Sequence, residues 1–479
     1  VFFMFFYLLA QFKAGGKILS TLLSDEPAFQ YAVTFTAGAM ANIPWVNQAD
    51  PDYLVCLVVF SAAVIVYVVY GGFRAVVWTD VMQGIVMFVG VLLMLGLALY
   101  QVGGLENATR QLAQMTPPEN GKAILRLDVP TGEEIAIPKG TWVKRDGQAY
   151  RLAELALIPA GQLSSIETAV LKITTPQEID RIESDDAANG LSLEVTEMTP
   201  YQSGASEAGV YVRNPGPSST GDFGFLAMGT AISFFIFWPF AGSGQPSNMV
   251  RLRSFKDTRT LRYSIVTVAI YYSIIYFSLV VIFCCGRVLM SGMEIDPDRT
   301  MPELAAQLTR TAGMPWLAGL LVAAPFAAVM SSVDSFLLMV SSAVVRDVYQ
   351  GHLDPEAPER RMKWLSYGVT VTVGILAVLF VLNPPTYLQD LIIFASGGLA
   401  ACFLIPMVLA LYWRDMTAAG AIAGMIGGTV VHLALTCWGY YEQGVFRAYE
   451  FLGLNPFIWD LLGSAAAAIA IAKRGKPNE

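Results

Sequence analysis

Charge is scarce in this 479-residue chain: Asp, Glu, Lys and Arg make up 14% of it, against about 25% in a soluble domain. With 55% hydrophobic residues and a mean hydropathy of +0.52, this excludes a soluble globular protein. Histidine is scarcer still, at two residues. No metal triad and no nucleophile–base pair appears, so an enzyme is not expected. The five cysteines, Cys56, Cys284, Cys285, Cys402 and Cys437, fall in or beside apolar runs without metal-ligand spacing. They read as small buried hydrophobes. No long basic run is present, which excludes a nucleic-acid surface. An initiator Met, a basic n-region and a cleavage pattern are also missing. The chain opens on Val1 inside "VFFMFFYLLAQF", and the expectation is a fragment that lacks upstream residues.

What is present is a series of apolar stretches near 20 residues, the length that crosses a bilayer. Ten occur, roughly at 1–23, 54–72, 75–102, 223–249, 263–288, 314–345, 364–383, 388–412, 418–438 and 456–473. Alternating them across a membrane puts 14 Lys and Arg on one set of short connections and 4 on the other. The positive-inside rule then sets the C-terminus, residues 474–479, in the cytoplasm of a multi-pass inner (plasma) membrane protein. The expected organisation is membrane helices over 1–103 and 223–473, separated by an extracytoplasmic insertion at 104–222. Within that insertion "KAILRLDV", "EEIAIP", "GTWVKRDGQAYRL" and "ETAVLKIT" alternate in the manner of strands. A small, mostly β unit is expected, ending in the tether "RNPGPSSTGD". It is either a binding or gating element or a decoration.

The sixth stretch contains "AAPFAAVMSSVDSFLLMVSS" (323–342), which sets hydroxyls and a carboxylate in mid-span. At about 100° per residue, Ala328, Ser331, Ser332 and Ser335 share one stripe, with Asp334 at its edge. Ala328 exposes its carbonyl and the hydroxyls add hard oxygens, a donor set for an alkali cation. A cation there neutralises the carboxylate and offsets its burial. The alternative is helix–helix glue, small residues and hydroxyls sealing a seam. Asp80, in "YGGFRAVVWTDVMQG" (70–84), adds a second acid; it faces those hydroxyls, pairs with Arg74 or meets water. In "FFIFWPFAGSGQPSNMVRL" (234–252), Pro239, Gly242, Gly244 and Pro246 interrupt an apolar run. Such a run predicts a discontinuous helix whose free backbone groups line a midplane site, or else a kinked one. Ser243, Gln245 and Asn248 supply orienting hydrogen bonds there. Lys13, Lys17 and His432 also lie within apolar runs and are weaker candidates.

"GGFRAVVWTDVMQG", "SGQPSNMVRL" and "AAVMSSVDSFLLMVSSAVVRDVY" together resemble the sodium:solute symporter family, which carries proline, pantothenate, sugars, sialic acid and iodide. The likeness covers nearly all the membrane part and leaves out 104–222. It implies an all-α polytopic membrane protein of the LeuT type, two inverted five-helix repeats, with the first three of about 13 spans absent. By the same resemblance Ala328, Ser331 and Ser332 match the main sodium site. Asp80, Ser331, Asp334 and Ser335 match an additional cation site, with Asp334 a departure from members that carry a hydroxyl or small residue. Ser243, Gly244, Gln245 and Asn248 match the broken helix that touches solute, and Phe394 and Ser396 the outer gate and solute wall. The implied function is sodium-coupled import of a small polar or anionic solute, with Na⁺ as coupling ion and the lipid bilayer as surroundings. The alternatives are proton coupling through Asp80 and Asp334, and a transporter-like sensor, which the short tail "RGKPNE" disfavours.

Overall fold

The computed structural model describes residues 1–23, 26–40, 50–127, 135–158, 165–185, 191–200, 208–212, 228–253, 255–382, 388–444 and 446–474. They form two compact units, one of Val1–Met94, Ile232–Ser278 and Met301–Glu479, the other of Leu95–Ala231 and Leu279–Thr300. In chain order the helices are α1 (Phe2–Leu23), α2 (Pro27–Met40), α3 (Pro51–Val102), α4 (Leu105–Gln114), α5 (Pro176–Arg181), α6 (Met228–Ser243), α7 (Pro246–Arg253), α8 (Thr258–Leu289), α9 (Thr300–Thr311), α10 (Ala318–Ser342), α11 (Glu359–Phe380), α12 (Leu388–Tyr412), α13 (Ala418–Gln443) and α14 (Pro456–Ala472). Seven helices among the described residues are long and apolar enough to cross a membrane, and α6 and α14 are shorter apolar helices.

The shorter α6 and α14 account for two of the three expected stretches beyond the seven long helices, and helix α3 for the third. Its 52 residues would run about 78 Å if straight, more than twice the hydrocarbon thickness. Gly72, with φ 59° and ψ −168°, breaks it in a conformation open in practice to glycine alone. The expected stretches 54–72 and 75–102 are its two arms, joined by a kink rather than a loop. The fourth expected stretch, 223–249, is interrupted as its Pro/Gly content implies: α6 ends at Ser243 and α7 starts at Pro246. Proline suits that first position because its missing N–H has no intrahelical partner there. Helix α10 continues as a π-helical segment, Ala343–Leu353, beyond the expected end at 345. Helices α2 and α9 were not expected. Each falls in a connection whose apolar content is too short or too interrupted for a span.

The membrane unit packs by removing side chains at helix crossings. A Cβ on Gly15 would meet the Phe60 ring at 2.4 Å, and one on Gly90 would meet Ala324 Cβ at 2.6 Å. So α1 abuts the first arm of α3, and α10 abuts the second. Tyr53 of α3 donates from its hydroxyl to the Val381 carbonyl at 2.9 Å, and Tyr7 stacks on Phe336 with centroids 4.4 Å apart. Helices α13 and α14 meet along a glycine–alanine seam, where a Cβ on Gly427 would lie 2.6 Å from Ala467 Cβ.

The second unit carries a five-stranded sheet of order β3-β4-β6-β1-β7 and a two-stranded β2-β5. Its strands are β1 (Glu119–Leu127), β2 (Ile135–Ile137), β3 (Trp142–Arg145), β4 (Gln148–Leu152), β5 (Ala156–Ile158), β6 (Ser165–Ile173) and β7 (Leu191–Pro200). The β3–β4 hairpin turns on Asp146 and Gly147, at φ 50° and 73°, the pairing that a two-residue type I′ loop requires. Ala123, Leu125, Val143, Leu152 and Val170 build its core. The tether expected at 213–222 lies outside the described residues.

Candidate cation and solute site

Three helices meet around the hydroxyl stripe. On α10, Ser331 and Ser332 both donate to the Ala328 carbonyl, at 3.0 and 3.2 Å. This gathers three oxygens within one helical turn and leaves the hydroxyl lone pairs free to coordinate. Asp334 is fully buried, and Tyr67 of α3 donates to its Oδ2 at 2.5 Å. Ser335 contacts Asp334 Oδ1 at 3.5 Å.

Asp80, on the second arm of α3, joins this cluster through Arg251 of α7. The guanidinium donates to Asp80 Oδ2 at 3.0 Å and to Ser335 Oγ at 2.6 Å. Asp80 therefore pairs with Arg251, and Arg74 is exposed. Asp80 Oδ1 and Gln83 Oε1, three residues apart on α3, are buried with no hydrogen-bond partner among the described residues. Acceptor oxygens lacking a donor are costly when buried. A hard cation satisfies them without a proton, so the donor set fits sodium.

The six cation-site residues thus form two adjacent groups. Ala328, Ser331 and Ser332 make an uncharged oxygen cluster. Asp334, Ser335 and Asp80 make an acidic one with Arg251 and Tyr67 against it. The sequence reading missed those last two. Arg251 counted there only as a positive charge near a membrane face, and Tyr67 sits in an unbroken apolar run with no signal of its own.

Of the residues expected on the solute side, Ser243, Gly244, Gln245 and Asn248 lie at the α6–α7 break. Ser243 donates to the Pro239 carbonyl at 2.9 Å, and Asn248 Nδ2 to the Gly242 carbonyl at 2.7 Å. Both side chains are exposed and add a second donor to carbonyls at the end of α6. Gln245 reaches from the break to the buried Ser396 of α12, at 3.5 Å. Gly244 permits that approach, since a Cβ there would lie 2.7 Å from Ala400 Cα. Phe394, six residues before Ala400 on α12, is buried among Phe3, Phe6 and Phe446, with centroids 5.5, 4.9 and 5.1 Å away. Lys13 is buried on α1. His432 contacts Phe394 and Asp460, as detailed below.

The family model for the sodium:solute symporter family matches residues 37–141 and 191–428. The chain belongs to the sodium:solute symporter family. The unmatched stretch, 142–190, is narrower than the 104–222 expected to fall outside. The match runs on through β1, β2 and β7, whereas the three short motifs reach only the membrane helices. The chain is similar to the sodium/pantothenate symporter of Haemophilus influenzae, 28% identical over 81% of this chain and 59% of that protein. It is 26% identical to that of Escherichia coli, over 96% and 72%. The sodium/proline symporter of Salmonella typhimurium is 31% identical over 38% of this chain. The chain therefore spans little more than half the length of one pantothenate relative. A solved Na⁺-coupled sialic acid symporter in a substrate-bound outward-open state, 17% identical, covers 99% of this symporter-family chain with a TM-score of 0.51. The LeuT-type architecture expected from the motifs is the fold that this likeness supports.

Proposed function

We propose that the protein imports a small polar or anionic organic solute across the plasma membrane, driven by sodium. The observation that carries this reading is the oxygen cluster at Ala328, Ser331 and Ser332, set beside the acids Asp334 and Asp80. A seam built only for packing has no use for orphaned buried acceptors at Asp80 and Gln83. The relatives named sodium/pantothenate and sodium/proline symporters add to it. The solute contacts are Gln245, Ser396 and Phe394, with Ser243, Gly244 and Asn248 shaping the break; the cation contacts are the six residues of the two clusters. The second unit lies outside the cell and the C-terminus inside.

In this mechanism sodium holds α10 to neighbouring helices and favours the state open to the outside. A sodium-poor cytosol then empties the site and releases the inner gate. The ion drives transport only by binding the two states unequally. Each charge falling through 100 mV contributes about 2.3 kcal/mol. Proton coupling is the second reading, favoured by the two carboxylates that share one cluster.

The deciding experiment reconstitutes the full-length protein in liposomes with labelled pantothenate, proline and sialic acid under imposed ion gradients. Uptake that follows sodium supports the proposal. Uptake that persists without sodium and follows a pH gradient replaces it with the proton reading. Ser332→Ala is expected to raise the sodium concentration for half-maximal uptake about tenfold, the equivalent of about 1.4 kcal/mol. An unchanged sodium dependence removes Ser332 from the site.

A further inference from the structure

Behind the solute wall lies a buried polar pair that the transport cycle above does not use. His432 on α13 and Asp460 on α14 are 3% and 0% exposed. His432 Nδ1 lies 2.6 Å from Asp460 Oδ2, and its Nε2 lies 2.9 Å from the Phe394 carbonyl oxygen. Both residues fall beyond 428, where the family match ends.

Donor and acceptor chemistry restricts the protons. A backbone carbonyl only accepts, so the contact to Phe394 requires a hydrogen on Nε2. An ionised carboxylate also only accepts, so either Nδ1 carries a second hydrogen or Asp460 carries it. Both arrangements leave the pair neutral overall and keep Nε2–H on Phe394. With that second proton gone, the tautomer that keeps the Asp460 contact turns a bare Nε2 toward a carbonyl oxygen, and two acceptors repel. Asp460 Oδ1 and Ser464 Oγ are also buried without partners among the described residues. An uncompensated negative charge at Asp460 is correspondingly costly.

We propose that His432 is a positioning residue. With Asp460 it shares one proton and thereby clamps the Phe394 main chain, fixing the ring that closes the solute wall. The role assigned to that wall rests on the proposed transport function; the proton arrangement does not. Phe3 reinforces the clamp, set edge-on against both His432 and Phe394 at 5.4 and 5.5 Å. A Cβ on Gly397 would lie 3.1 Å from the imidazole Cε1, so the missing side chain lets the ring pack closely against α12.

The test is nitrogen NMR of the full-length protein in lipid. Only two histidines are present, so His352→Asn leaves a single imidazole to observe. Nε2 is expected to carry a hydrogen and to couple to a ¹³C-labelled Phe394 carbonyl; a bare Nε2 overturns the proposal. Asp460→Asn preserves shape, and its amide can donate to Nδ1. It is expected to convert Nδ1 to a bare nitrogen while Nε2 keeps its hydrogen and its coupling. Asp460→Leu removes the partner of Nδ1 and leaves the Phe394 carbonyl alone to orient the ring, so the Phe394 coupling is expected to weaken. Loss of Nε2–H in the Asn variant, or an unaltered coupling in the Leu variant, refutes the clamp. Failure of sodium-driven uptake alone overturns the proposed transport function and leaves these signatures standing.

Discussion

At the scale of single residues, Arg251 is the decisive addition to the cation site. Its guanidinium occupies the oxygens of Asp80 and Ser335 that a second cation would use. The arginine side chain is 53% exposed, so its ion pair is weak and readily exchanged. In the cation site proposed above, Arg251 is then a tethered competitor for sodium. Arg251→Gln removes one positive charge and is expected to tighten equilibrium binding of radioactive sodium by about tenfold, or about 1.4 kcal/mol. Unchanged or weaker binding would show that the guanidinium assists the ion instead. The hydroxyl stripe was legible in the sequence because residues 328, 331, 332 and 335 recur with the period of a helix. Arg251 and Tyr67 were not. They reach the cluster from helices 84 and 267 positions away in sequence, and pairing at that distance leaves no periodic trace.

Elements show the same divide between local and distant signals. The α6–α7 break could be read from Pro239, Gly242, Gly244 and Pro246, because proline and glycine act on their own backbone. The type I′ turn at Asp146–Gly147 carries the same kind of local signal, although "GTWVKRDGQAYRL" reads in the sequence only as one alternating stretch. Strand β7 was overlooked: its alternation in "LSLEVTEMTP" (191–200) is clear only once β1 supplies a partner. The α12–α13 seam depends equally on a partner. A Cβ on Gly428 would meet the Ala401 carbonyl oxygen at 2.2 Å, a contact no side-chain rotation relieves. Gly428→Ala is therefore expected to destabilise the protein by about 1–3 kcal/mol, read as a lowered thermal midpoint in detergent. A midpoint equal to that of the parent protein would mean the seam is looser than drawn. In the second unit, Glu178 is buried and accepts from Ser291 Oγ at 2.8 Å. Burial pushes its carboxyl above the ordinary value of 4.5, against the opposing pull of Thr175, Ser291, Arg287 and Arg181. The folded state then holds a proton that the unfolded state releases. Stability from this group is complete below 4.5 and declines as pH rises through the elevated folded value. Amide exchange of β1 and β6, corrected for intrinsic rates, is expected to quicken across that window in the parent and not in Glu178→Gln.

For the whole molecule, the open question is whether the sheet takes part in transport. Its entry and exit are adjacent: Glu119 of β1 pairs directly with Pro200 of β7, neighbours about 5 Å apart across an antiparallel ladder. The chain leaves for the sheet and returns at one point, so the sheet can be removed without stretching what remains. Among the described residues, its hydrogen bonds to the end of α8 and the segment that follows fall on main-chain oxygens, a serine and the Met293 thioether. Arg151 donates to the Gly292 carbonyl at 2.8 Å, Arg181 to the Val288 carbonyl at 3.4 Å, and Ser291 to Glu178. On the watery side of the membrane proposed above, solvent replaces each of these partners at little cost. Ile295, which packs on the cluster of Leu171, Ile173 and Ile179, is an apolar side chain there that loses its cover. Replacing residues 119–200 by a short Gly-Ser linker is therefore expected to leave the sodium dependence of uptake within about twofold of the parent, a change below 0.5 kcal/mol. The measurement is the half-saturating sodium concentration in the same liposomes. A shift of tenfold or more would make the sheet a gate, coupled to the cation cluster through the motion of α3 or α8.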